Sequence, residues 1–204
     1  MASGLFGRGA TVVLAALSAL LAAGPAAAEI CDLKVYDASR GKRLQESDTV
    51  FAKDQQFIVC FKPLKDGYVS LWDRIPRDAP VERLAPSPKF EKSKARQVTA
   101  GEPQCFGDGS AEPGATGYVL LMEASDGFGL GRMWLVFSEH LEDHPGEQAF
   151  DSVSMFKGAY ERRFGAGSMK IEPDTRADEA PPPSGCASAG SLDYFYRVTP
   201  GDGS

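Results

Sequence analysis

From residue 31 to residue 138 the chain is a series of short runs with a two-residue period, punctuated by Gly, Pro and Asp. The clearest is Asp66-Gly67-Tyr68-Val69-Ser70-Leu71-Trp72-Asp73. Asp66-Gly67 has the chemistry of a tight turn, since Gly accepts positive φ and Asp hydrogen-bonds its own turn. Tyr68, Ser70 and Trp72 then fall on one face of a strand, Val69 and Leu71 on the other. Residues 57–61, Phe-Ile-Val-Cys-Phe, are apolar on both faces, as in a strand covered on both sides. Pro63 closes that run, so the pair reads as a hairpin.

Similar runs predict strands over residues 31–36, 81–85, 117–123 and 132–138, with short extended pieces at 98–102 and 104–106. Residues 37–41, 107–109 and 112–114 read as turns, and 87–96, polar with Lys89, Lys92, Lys94 and Arg96, as a solvated loop. Short strands this close together favour a sandwich or barrel over a parallel α/β sheet. Beyond residue 138 the period changes. Ala149, Val153, Phe156, Tyr160 and Phe164 form the stripe of an amphipathic helix. Pro145-Gly146-Glu147 is expected to open it, and Gly165-Ala166-Gly167 to end it behind the basic turn Arg162-Arg163. Gly158 inside it costs about 1 kcal/mol. Residues 172–191 have the composition of a Pro-rich linker. Leu192, Tyr194, Phe195, Tyr196 and Val198 make the end too apolar for a loose tail, so a strand is expected to return to the body within 192–204.

Several of these pieces occur in a familiar order. The strand at 57–61 is followed by Asp66-Gly67-Tyr68, Leu84-Ala85-Pro86-Ser87-Pro88, Ala100-Gly101-Glu102, Pro113-Gly114 and the apolar run 118–122. Over residues 50–138 this resembles domain of unknown function 4384. That family usually has Leu-x-Pro-Asn where this chain has Leu84-Ala85-Pro86-Ser87. The resemblance implies an immunoglobulin-like β-sandwich in bacterial envelope or signalling proteins, and it carries over no catalytic residues. The expected fold is therefore mainly β: an immunoglobulin-like β-sandwich with one C-terminal amphipathic helix, occupying residues 29–171.

Residues 1–28 read as a signal peptide. Arg8 precedes an apolar run, Gly24-Pro25 breaks it, and Ala26-Ala27-Ala28 offers small residues to a signal peptidase before Glu29. The run is shorter than the roughly 18–20 residues a membrane span needs. The expected location is periplasmic or secreted, without stable membrane insertion. With 22 Lys and Arg against 28 Asp and Glu, net −6, a basic nucleic-acid surface is not expected. The four cysteines, Cys31, Cys60, Cys105 and Cys186, contain no C-x-x-C pair and read as structural disulfides of an oxidising compartment. Sequence leaves three pairings open. The order of elements favours Cys60–Cys105 inside the sandwich and Cys31–Cys186 between its ends.

Candidate chemistry is sparse. His140 and His144 flank Leu141-Glu142-Asp143 at i and i+4, a spacing able to share a metal on a helix. Pro145 stops any such helix, so an exposed polar connection is the expected reading and a metal-dependent hydrolase the alternative. Gly127-Phe128-Gly129-Leu130-Gly131 has the glycines of a phosphate loop but leads into a strand, which removes the helix N-terminus that such a loop requires. There is no Gly-x-Ser-x-Gly elbow. Tyr68, Trp72 and Phe128 are the candidate recognition aromatics, with sandwich core the competing role for Trp72 and Trp134. The expected function is a non-catalytic binding or scaffolding module of the envelope. It needs no cofactor or metal, and its partner is another envelope protein or a peptide.

Overall fold

A computed structural model describes residues 29–44, 50–52, 54–75, 79–109, 117–121, 129–164 and 191–199. Its strands make two sheets. In the first, β1 (Ile30–Asp37) lies between β2 (Lys42–Leu44) and β4 (Gln56–Pro63), and β8 (Gln104–Phe106) and β9 (Leu120–Leu121) both pair with β4. The second runs in the order β11 (Ala149–Phe150), β6 (Val81–Ala85), β5 (Gly67–Arg74), β10 (Gly129–Ser138), β12 (Ser191–Thr199) and β3 (Val50–Ala52), with β7 (Arg96–Val98) also on β5. All pairs are antiparallel except β12 with β3. Among the described residues the fold is a two-sheet β-sandwich with one α-helix, α1 (Val153–Phe164).

The period-two pattern explains both cores. Leu33, Val35, Phe57, Val59 and Phe61 of the first sheet meet Val69, Leu71, Met133, Leu135 and Phe137 of the second, and all are buried. The alternate residues of the second sheet, Trp72, Trp134 and Val136, point away and are covered by Phe150, Phe156, Ala159 and Tyr160. β5 and β10 are thus apolar on both faces because each serves two cores.

The run 57–61 and the run after Asp66 are not a hairpin. They form β4 and β5, which lie in different sheets, and the chain crosses the sandwich between them. Their turn also differs from the expectation. Asp66 Oδ1 accepts from the Ala100 N–H at 2.8 Å, so it fastens β5 to the turn after β7. Gly67 is not among the positive-φ glycines. Its lack of a side chain serves a close approach instead, because a Cβ there would stand 2.5 Å from the Ser138 carbonyl oxygen and 2.7 Å from the Phe137 ring. Gly67→Ala is therefore expected to cost about 1–3 kcal/mol by forcing β10 outward. An unchanged urea midpoint would contradict that close approach.

Other boundaries moved for identifiable reasons. The helix begins eight residues after Pro145, at Val153, because Ser152 caps it: its Oγ accepts from the Met155 N–H at 3.3 Å and its carbonyl from the Phe156 N–H at 3.1 Å. Ala149 is an exposed residue of β11 and not part of the helical stripe. The loop 87–95 is only partly solvated, since Glu91 and Ala95 within it are buried. The terminal strand does return as β12, paired with β10 from Gly129↔Val198 to Val136↔Ser191. The expected opening of the run 117–123 is seen as the two-residue β9, while 122–128 lie outside the described residues.

Cys60 and Cys105 face each other across β4 and β8 and form a disulfide. Cys31 is also disulfide-bonded, and Cys186 lies outside the described residues, as do the expected signal peptide, residues 1–28, and most of the linker, 172–190.

Candidate functional site

The polar groups of the second sheet's outer face converge on Ser70. β5 supplies Ser70 and Trp72 from alternate positions, α1 supplies Tyr160, and the segment after β10 supplies His144 through a single 3-10 turn, Leu141–Asp143. Trp72 Nε1–H donates to Ser70 Oγ at 2.9 Å. His144 Nδ1 lies 2.9 Å from the same oxygen, and the Tyr160 hydroxyl 3.2 Å from it. His144 Nε2 lies 3.2 Å from the Tyr68 carbonyl oxygen.

These partners fix the protonation of the ring. A carbonyl only accepts, so the proton of the neutral imidazole sits on Nε2, and Nδ1 accepts from the Ser70 hydroxyl. Ser70 in turn accepts from the Trp72 indole. Ser70, Trp72, His144 and Tyr160 are all 0% exposed. Burial drives the His144 pKa down to about 4; the Tyr68 carbonyl bond opposes this and the Lys94 charge adds to it. The ring is neutral at pH 7.

The segment is held from the other side as well. Ser138 Oγ donates to Asp143 Oδ2 at 2.5 Å and accepts from the His140 N–H at 3.1 Å. Glu139 pairs with Lys65 at 2.7 Å, and Lys65 also reaches Glu29 at 3.3 Å. Asp143 therefore orients Ser138 and not the imidazole.

The histidine connection differs from its expected form. His140 is exposed, but His144 is wholly buried with both ring nitrogens engaged. Among the described residues no group of three or more His, Cys, Asp or Glu side chains is placed to hold a metal ion. Of the candidate aromatics, Trp72 is core: its ring lies 5.1 Å from Phe156 and 5.5 Å from Phe150, and it offers no open platform. Trp134 is equally buried. Tyr68 is half-buried and contributes its carbonyl to the network, while Phe128 lies outside the described residues.

No family model, curated protein or solved structure matches the chain. Sequence reasoning missed Ser70, Tyr160 and the buried role of His144. The signal for Ser70 was its place between Val69 and Leu71 in a strand whose outward face carries Trp72, a polar atom that a covered face must satisfy. The signal for Tyr160 was its place in the helical stripe.

A second polar group stands at the rim of this face. Arg83, on β6 beside Trp72, is 6% exposed, and burial pulls its guanidinium below its ordinary pKa. Glu91 of the loop 87–95 and Arg96 of β7 form a buried pair at 3.5 Å, with Arg96 also donating to the Cys105 carbonyl at 2.9 Å.

Proposed function

We propose that the chain from Glu29 onward is an exported, non-catalytic binding or scaffolding module of the bacterial cell envelope, acting on another envelope protein or a peptide. The supporting observation is the enclosure of Ser70 and His144. A serine hydroxyl 2.9 Å from an imidazole has the makings of a nucleophile and its base. Here both residues are fully buried, and the hydroxyl is occupied by the Trp72 indole and the Tyr160 hydroxyl. The network fastens α1 to the sheet with none of its four side chains exposed. A metal-dependent hydrolase on His140 and His144 would need a ring nitrogen that His144 does not have to spare.

The Cys60–Cys105 bridge supports an oxidising compartment. No helix among the described residues is long and apolar enough to cross a membrane. The immunoglobulin-like topology and the envelope setting rest on the motif resemblance over residues 50–138.

The test is chemical. Protein taken from the periplasmic fraction and treated with a fluorophosphonate should leave Ser70 unlabelled on peptide mapping. A label on Ser70 that disappears in His144→Ala would make the protein a serine hydrolase. Stoichiometric zinc that is lost in His140→Ala would replace the reading just as surely.

A further inference from the structure

The Cys60–Cys105 bridge lies outside both cores. Val59, Phe61 and Phe106 turn inward and are buried, so the alternation of β4 and β8 sends Cys60 and Cys105 to the outer face of the first sheet, where both are half-buried. They face each other across one rung of the ladder, with Cα atoms 4.1 Å apart. The pairs Val59↔Phe106 and Phe61↔Gln104 hold that rung on either side. Phe106 also packs on the Phe61 ring at 5.5 Å and under the Arg96 guanidinium at 4.6 Å. The strands therefore keep the two sulfurs together whether or not they are bonded.

The two sulfurs differ in their surroundings. Lys34 of β1 is the register partner of Cys60 on its other side, and Lys62 follows two residues later on the same face. Lys34 has Asp32 at 4.0 Å, a contact at the limit of an ion pair. Positive charge beside a sulfur favours its departure as a thiolate. Cys105 stands at the end of the sheet, and among the described residues no strand pairs with β8 beyond it. Arg96 caps that edge at the Cys105 carbonyl, its charge matched by Glu91. A thiolate attacks a disulfide sulfur from the side opposite the bonded partner. For Cys105 that side is the free edge of β8; for Cys60 it is β1 with Lys34.

We propose that Cys60–Cys105 is an exchangeable disulfide, a redox modification site whose co-reactant is a dithiol. One thiolate of the dithiol attacks Cys105 Sγ. A new S–S bond forms there, the Cys60–Cys105 bond breaks, and Cys60 leaves as a thiolate beside Lys34 and Lys62. The second thiol of the reductant, deprotonated, then displaces Cys105 and closes the reductant's own disulfide. Two electrons and two protons pass from the dithiol to the cysteine pair, which ends as two thiols. Cys31, also disulfide-bonded, is only 5% exposed and takes no part. The site does not depend on the module reading.

The experiment treats the full mature chain with dithiothreitol at neutral pH without denaturant, alkylates it with iodoacetamide and maps the labelled peptides. Cys60 and Cys105 should be labelled together, about tenfold or more faster than Cys31, while the far-UV circular dichroism stays that of the folded protein. Equal rates would overturn the site, and so would labelling of Cys60 and Cys105 only where the folded spectrum is lost. A short exposure to 2-mercaptoethanol, quenched in acid, should leave the mixed disulfide on Cys105. Finding it on Cys60 would overturn the order of attack. Replacing both lysines, Lys34→Gln with Lys62→Gln, should slow the reduction by about threefold. An unchanged rate in that folded variant would refute their part in the departure of Cys60.

Discussion

Taking the protein from pH 7 to pH 4 is expected to remove about 3 kcal/mol of stability through His144 alone. Burial holds this group at about 4, against an ordinary value of 6.5. Between those values the unfolded chain binds a proton that the folded one refuses. The contribution is therefore complete above 6.5, falls as the pH falls through the window, and is exhausted just below 4. Inside the fold an added proton would turn Nδ1 into a donor facing the Ser70 hydroxyl, with Lys94 and Arg83 repelling the new charge and Asp143 attracting it. Urea midpoints across this window in the wild type and in His144→Gln decide the matter. The variant should lose the slope whatever its absolute stability, and parallel curves would refute the assignment. Asp37, held low chiefly by the Ser39 hydroxyl, and Glu139, held low by Lys65, titrate identically in both proteins and cancel.

Trp72→Ala should cost about 4 kcal/mol, the range for deleting a fully buried aromatic. The loss is concentrated in one place. Trp72 packs its ring at a tilt against Phe150 and Phe156, meets Tyr160 edge-on at 6.4 Å, and donates its indole proton to Ser70. Removing it opens a cavity under α1 and leaves the Ser70 oxygen one donor short. Hydrogen exchange should accordingly speed up in α1 and in the 3-10 turn more than in β1 or β4. Uniform acceleration across the molecule would mean that the helix layer and the sandwich are one cooperative unit.

The strands were legible because burial imposes a period of two on a half-covered sheet, which residues 30–37, 56–63 and 81–85 obey, and because strands covered on both faces, 67–74 and 129–138, read as apolar runs. The return of the last strand was legible because Tyr194, Tyr196 and Val198 need a covered face, and they have one. The pairing of those strands was not legible. Asp66-Gly67 looks the same whether it turns the chain within a sheet or carries it across to the other one, and the distinguishing contacts, Ala100 and Ser138, are far along the chain. The site was hidden for a similar reason. Ser70, His144 and Tyr160 are scattered over 90 positions and meet only because α1 lies across β5. A histidine next to Pro145, amid acids, has the composition of a surface connection; its burial is decided by the helix above it.

The placement of β12 sets an order of events for assembly. This strand lies between β10 and β3, antiparallel to one and parallel to the other, so two neighbours wait for a strand made after both of them. A nascent polypeptide emerging from its N-terminus can close the first sheet early, since β1, β2, β4, β8 and β9 all precede residue 122. It cannot complete the second until residue 199 is free to dock. Until then Phe51 has no Tyr196 to pack against, 5.2 Å from ring to ring, and the interior stays open along one side. Closure of the sandwich therefore waits for β12, which is the keystone of the second sheet.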